Sequence, residues 1–234
     1  NVLAVSAGSV VGVSLGNKFP QRVQEIVFDS LGLLTLFIGF QMAFKTENVL
    51  IMLGALLVGG IIGELLRIED KLNRIGEFLQ RTFSMEKHKK FVEGFVTASL
   101  LFCVGPMAIL GSIKDGLTGD YTILAIKSIL DGFASLGFAS ALGWGVLFSI
   151  ISVFVFQGSI TISAAWIQKF LTTSMINEMT ATGGLIIVAI GIRLLKIRDI
   201  RVGNFLPALF IAPALVFVID RIKPWLELLK SISG

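Results

Sequence analysis

VLIMLGALLVGGIIGELL, residues Val49–Leu66, carries one charge, Glu64, in eighteen positions. As a helix at about 1.5 Å per residue it is roughly 27 Å long, close to the ~30 Å of hydrocarbon in a bilayer. It does not alternate polar with apolar, as a barrel strand would. A membrane-spanning helix is the reading that remains. The same rule applied outward finds seven more spans: Val2–Leu15, Ile26–Phe44, Phe91–Ile113, Thr122–Leu142, Val146–Ile167, Met175–Leu195 and Val202–Val218. Charges and helix breakers fall between them. Span one is short, and trimming of its start is the expected reason.

Composition agrees. Of 234 residues 54% are hydrophobic and 15% charged, with a mean hydropathy of +0.86. An average soluble domain is about 25% charged, so a soluble surface is excluded. A disordered or collagen-like chain is excluded by the apolar content and the lack of a Gly-X-Y period. One Cys and one His allow neither an internal disulfide nor a Cys/His zinc cluster.

Lys and Arg collect on one side. Lys18 and Arg22, the stretch from Arg67 to Lys90, and Arg193 to Arg201 together hold thirteen of the twenty basic residues, all at one end of the spans. Both termini are therefore expected outside. Trp144, Trp166, Trp225 and Tyr121 fall at expected interfaces, as belt residues do. From Glu69 to Phe83, Leu72, Ile75, Phe78, Leu79 and Phe83 recur at helical spacing opposite Asp70, Lys71, Arg74, Glu77 and Arg81. This predicts a cytoplasmic amphipathic helix on the membrane surface or on the bundle. Lys87-His88-Lys89-Lys90 reads as an anchor on anionic headgroups, not as a nucleic-acid site.

Self-comparison aligns Gly32-Leu33 and Ile38-Gly39 with Gly184-Leu185 and Ile190-Gly191, residues 54–60 with 207–213, and Gly8-Ser9 with Gly158-Ser159. Spans one to three thus match spans six to eight. A displacement of five helices is odd, so the two copies must be inverted. The expected fold is all-α and polytopic, one transmembrane domain over 1–234. It divides into repeat A (1–66), an amphipathic linker (67–90), spans four and five (91–142) and repeat B (146–220).

Charge in hydrocarbon costs at least about 2.5–3.5 kcal/mol at mid-span and marks candidate sites. Asp29 lies in span two, Glu93 at the start of span four, and Lys127 and Asp131 one turn apart in span five. Span seven opens with Asn177, Glu178, Thr180 and Thr182 before Gly183-Gly184. That stretch is expected to unwind and offer oxygen to a cation, with Asp29 joining it and a proton competing for Glu178. The competing reading for Glu178 is a capping carboxylate. For Lys127 and Asp131 it is a structural ion pair. Gly105-Pro106 and the residues to Gly116 allow span four to break. Gly8, Gly12 and Gly16 form a small-residue ridge that would pack either a homo-oligomer or the bundle itself.

The stretches Phe91–Ser112, Asp115–Tyr121 and Asn177–Gly184 resemble the YqgA-like family, bacterial inner-membrane proteins of unknown function. The resemblance runs over nearly the whole chain. It implies a bacterial plasma membrane and a transport role, and carries no catalytic residue. Sequences for metalloprotease, serine-hydrolase and phosphate-loop chemistry are absent, so an enzyme is not expected. The leading expectation is an ion-coupled permease for a cation or small polar solute, with sodium or proton coupling and no cofactor. An oligomeric channel or pore comes second and a non-transport membrane scaffold third. Expected partners are membrane lipid, the solute and further copies of the chain.

Overall fold

The computed structural model describes residues 1–16, 20–83 and 89–233, and the side chains among these except at positions 21, 89 and 223–233. Lys18 and most of the 87–90 basic run therefore lie outside the described residues, as does the Trp225 side chain. The regular elements are all helices: α1 Val2–Gly16, α2 Gln21–Ala43, α3 Val49–Leu66, α4 Ile68–Thr82, α5 Lys89–Cys103, α6 Pro106–Thr118, α7 Thr122–Leu142, α8 Gly145–Ile162, the short α9 Ala164–Ile167, α10 Thr173–Leu194 and α11 Ala208–Ser233, with a 3-10 turn at Val202–Phe205 before α11. Among the described residues six helices are long and apolar enough to cross a bilayer: α2, α3, α7, α8, α10 and α11. α5 and α6 form one further candidate span, bent by 60° at the break, and α1 is a shorter apolar helix.

The break follows from chemistry at Gly105-Pro106. Proline has no N–H for the ladder and disfavours helical geometry in the residue before it. Gly105 is accordingly extended (φ 162°, ψ 152°), and Pro106 opens α6 in its first turn. The expected unwinding at residues 177–184 does not occur: α10 is continuous from Thr173 to Leu194. No proline interrupts that stretch, and burial of Ala181, Gly183 and Gly184 against neighbouring helices offsets its low helix propensity.

α1 runs parallel to α7, because Gly8, Gly12 and Gly16 seat on the backbones of Gly132, Leu136 and Ser140 in turn. α2 and α10 cross antiparallel: a Cβ on Gly39 would lie 2.7 Å from the Val188 nitrogen, and one on Gly191 3.0 Å from that of Leu36. The same pair meets again where Gly32 faces Leu195 and Gly184 faces Ala43. α3 and α11 meet at Gly59 and Ala208, and Ala55, Ala208 and Ala212 form one buried cluster. Gly158 has no such neighbour, so the Gly8-Ser9 and Gly158-Ser159 match is not repeated in packing.

α4 is the expected amphipathic helix. Its Gly76 lies close to Val92 and Phe95 of α5, while Leu72 and Leu79 pack on the main core. Ile75 and Phe78 remain exposed. The apolar stripe is thus divided, part packed on the bundle and part exposed.

Candidate functional site

Where α5 stops and α6 starts, helix ends face the middle of the bundle. A helix terminus leaves backbone groups without ladder partners, and Gly105 supplies no side-chain cap to α6. A Cβ on Gly105 would meet nothing within 4 Å, so the break borders open space. Val104 touches Gly183, half-way along α10. The break is therefore at mid-span on both elements.

Register brings two more elements to this level. Ser99 of α5 donates to Ser152 of α8 at 2.9 Å, and Gly116 of α6 seats on Thr161. Gln157, five residues beyond Ser152 in this parallel pair, is thus level with the break and with Ser112 of α6. Gly111 packs on Ile123 and Leu124, and the antiparallel run of α6 and α7 from there sets Lys127 and Asp131 alongside. Lys127 donates to Asp131 at 2.6 Å, and Asn1 donates to the same oxygen at 2.8 Å.

Most hydroxyls in these helices donate back to a carbonyl of their own turn, as Ser6, Ser30, Thr35 and Ser128 do. In hydrocarbon this is the cheapest way to satisfy them. Four groups at the level of the break do not. Oγ1 of Thr180, Oγ1 of Thr182, Oγ of Ser112 and Nε2 of Gln157 are buried without a hydrogen-bond partner. An orphaned buried polar group costs about 1–3 kcal/mol; these four sit on α6, α8 and α10, and Asn1 Oδ1 and Ser9 Oγ at α1 are orphaned as well.

The other sequence candidates go elsewhere. Glu178 is 1% exposed and binds the α2–α3 loop, whose Asn48 caps α3. It accepts from the backbone of Glu47 (2.7 Å) and Asn48 (2.8 Å) and from the Thr46 hydroxyl (2.8 Å). Asn177 and Ser174 donate in return to the Glu47 carboxylate, at 2.7 and 3.0 Å. Asn177 and Glu178 are thus half of a latch between the α2–α3 loop and α10. Asp29 is exposed on α2 toward the other end of α10, so it does not join Glu178. Glu93 lines a separate 590 Å³ cavity with Asn73, Arg193, Lys196 and Arg198, beside α4. Gly8, Gly12 and Gly16 face α7 within the subunit, so this ridge is not a contact between copies.

A second latch closes the opposite end of α10. Arg193 donates to Glu69 at 2.9 Å and to Asp199 at 3.1 Å, and the other Glu69 oxygen accepts from the Gly203 backbone at 2.6 Å. Asn204 accepts from the Glu69 backbone at 2.8 Å and donates to Glu64 at 2.7 Å. Sequence reasoning missed Gln157 and this latch: Gln157 has no neighbour in sequence that sets it apart, and Glu69 reads as the polar start of α4.

The family model described as "Protein of unknown function (DUF554)" matches residues 1–217. The chain belongs to the DUF554 family. Among similar DUF554 proteins, Uncharacterized protein YqgA of Escherichia coli K12 is 34% identical, over 91% of this chain and 92% of its own. Uncharacterized membrane protein YdfK of Bacillus subtilis 168 is 31% identical, over 94% of each. No solved structure matches. The expected family is thus the family found, and with its apolar helices this chain is a helical membrane protein.

Proposed function

We propose that this DUF554 protein is a secondary permease for a small polar solute, bound at the Val104-Gly105 break. The observation that carries this reading is the set of orphaned polar groups on the helices that pack at this level: Ser112, Gln157, Thr180 and Thr182. Broken helices at the bilayer midplane supply exposed backbone dipoles for binding, and Lys127 with Asp131 adds a charged wall. Sodium or a proton is the proposed coupling ion.

Alternating access is the proposed mechanism, with eight crossings and the basic end in the cytoplasm of a bacterial inner membrane. Exchanging Gly32 with Gly184 and Gly39 with Gly191, as the sequence match does, turns Gly39–Val188 into Gly191–Leu36 and Gly32–Leu195 into Gly184–Ala43. The paired contacts support an inverted repeat with a two-fold axis in the membrane plane. The Glu178 and Glu69 latches would close its outer and inner mouths. An oligomeric pore has less support, because the ridge available to it is spent on α7; assembly of copies would use another face. Catalysis forms no part of this reading.

Cys103, the single cysteine, ends α5 beside the break. Only a thiolate reacts quickly, and it forms where water reaches. In membrane vesicles of known orientation, charged thiosulfonate reagents should label Cys103 slowly in the parent. Glu178→Gln should speed labelling from outside only, and Glu69→Gln from inside only. Labelling absent in all three proteins, or unchanged by both substitutions, overturns the proposal.

A further inference from the structure

A second cavity opens sideways, away from the solute site. Its volume is about 680 Å³, between the lipid-facing side of α3 and residues 198–205. The wall on α3 is apolar: Leu57, Ile61 and Leu65 are 59, 61 and 78% exposed, and Phe205 closes the far side. Exposure of this kind on a membrane helix is exposure to acyl chains, not to water.

Its length and its charge both point to an occupant. From Leu56 to Glu64 the groove follows nine residues of α3, eight steps or about 12 Å at 1.5 Å per residue. That is close to the ~15 Å of hydrocarbon in one leaflet. The rim at the α3 C-terminus holds Glu64, Arg198, Asp199 and Arg201. Three of these are committed: Arg201 and Asn204 bind Glu64, and Arg193 binds Asp199. Arg198 has no protein partner among the described residues. One uncommitted guanidinium at headgroup height, above an apolar slot one leaflet deep, complements a single phosphodiester with its chain.

We propose that this groove binds one anionic phospholipid, its acyl chain along Leu57 and Ile61 and its phosphate on Arg198. A planar guanidinium grips phosphate through two parallel hydrogen bonds. A zwitterionic headgroup brings its own cation to the same place and competes for the phosphate. Selectivity for net negative charge follows, and it does not require the chain to transport anything.

The test is native mass spectrometry of the full chain in detergent. It is equilibrated with phosphatidylglycerol and phosphatidylcholine of matched chains, with glycerol phosphate as the chain-free competitor. The parent should retain one phosphatidylglycerol with about ten-fold or greater preference, as a charge-assisted bond gives. Arg198→Gln, at an exposed residue the fold does not use, should bring the preference near one. Leu57→Trp, which fills the slot, should lower retention of both lipids. Equal retention of the two lipids by the parent would overturn the proposal, as would a preference that survives Arg198→Gln. Displacement of the lipid by glycerol phosphate would overturn it too, by showing a soluble-phosphate site.

Discussion

Glu178 allows the sharpest separation of structural from transport roles. Replacing it by Ala removes an acceptor from two backbone N–H groups and the Thr46 hydroxyl. The site is 1% exposed, so water does not replace the lost partner. At about 1–3 kcal/mol for each stranded donor, and with the hydroxyl able to turn to another acceptor, the loss is about 2–6 kcal/mol. Glu178→Gln keeps one oxygen for both N–H groups and offers Thr46 an amide donor. What it loses is charge at the α3 N-terminus, worth about 0.3–2 kcal/mol. Thermal unfolding in detergent, followed by circular dichroism, should therefore rank parent above Gln above Ala. At roughly 2–4 °C per kcal/mol for a chain of this size, Gln should melt about 1–8 °C below the parent and Ala further below. An Ala variant as stable as the parent would refute the latch. Equal losses for Gln and Ala would refute the assignment of the acceptor bonds.

At the break, Thr182→Val and Ser112→Ala remove hydroxyls that have no partner, so melting temperature should hold or rise while Cys103 loses solute protection against labelling once a solute is known; a fall of more than about 2 kcal/mol would show hidden partners. Gly39→Ala sets a methyl against the α10 backbone and should cost about 1–3 kcal/mol, whereas Gly158→Ala meets nothing and should be neutral or stabilising by up to about 1 kcal/mol; equal melting shifts would refute this packing. Asp131→Ala should destabilise by about 3–5 kcal/mol because it strands Lys127, while the double change Lys127→Met with Asp131→Leu should be far milder; melting curves decide. Outside the spans, Lys114 and the Thr122 backbone hold the Asp120 carboxyl well below the usual carboxylate range. Because its folded value is depressed, its stabilisation is complete above about pH 4 and is lost only as pH falls through that lower value. Melts of the parent and Asp120→Asn should therefore differ by a constant amount between pH 5 and 8; a difference that changes over that range would refute the pairing.

Span length, the amphipathic α4 and the break at Gly105-Pro106 were legible in the chain itself, because each depends on residues adjacent in sequence. So was the one-turn spacing of Lys127 and Asp131. Their ion pair needs only the helix that carries them. The partner of Glu178 was not legible: a carboxylate near a helix start predicts a cap for its own helix, and here it holds the loop that leads into α3. Nor was the direction of the Gly8, Gly12 and Gly16 ridge, or the separation of Asp29 and Glu93 from α10's N-terminal end. In a soluble protein polarity tells a helix which face to bury. In a bilayer the lipid and the protein interior are equally apolar, so α3 is hydrophobic all round as far as Glu64 and its sequence does not say which face meets protein. Close approach of small residues and the mating of polar groups across helices make that choice, and both exist only once the helices are packed together.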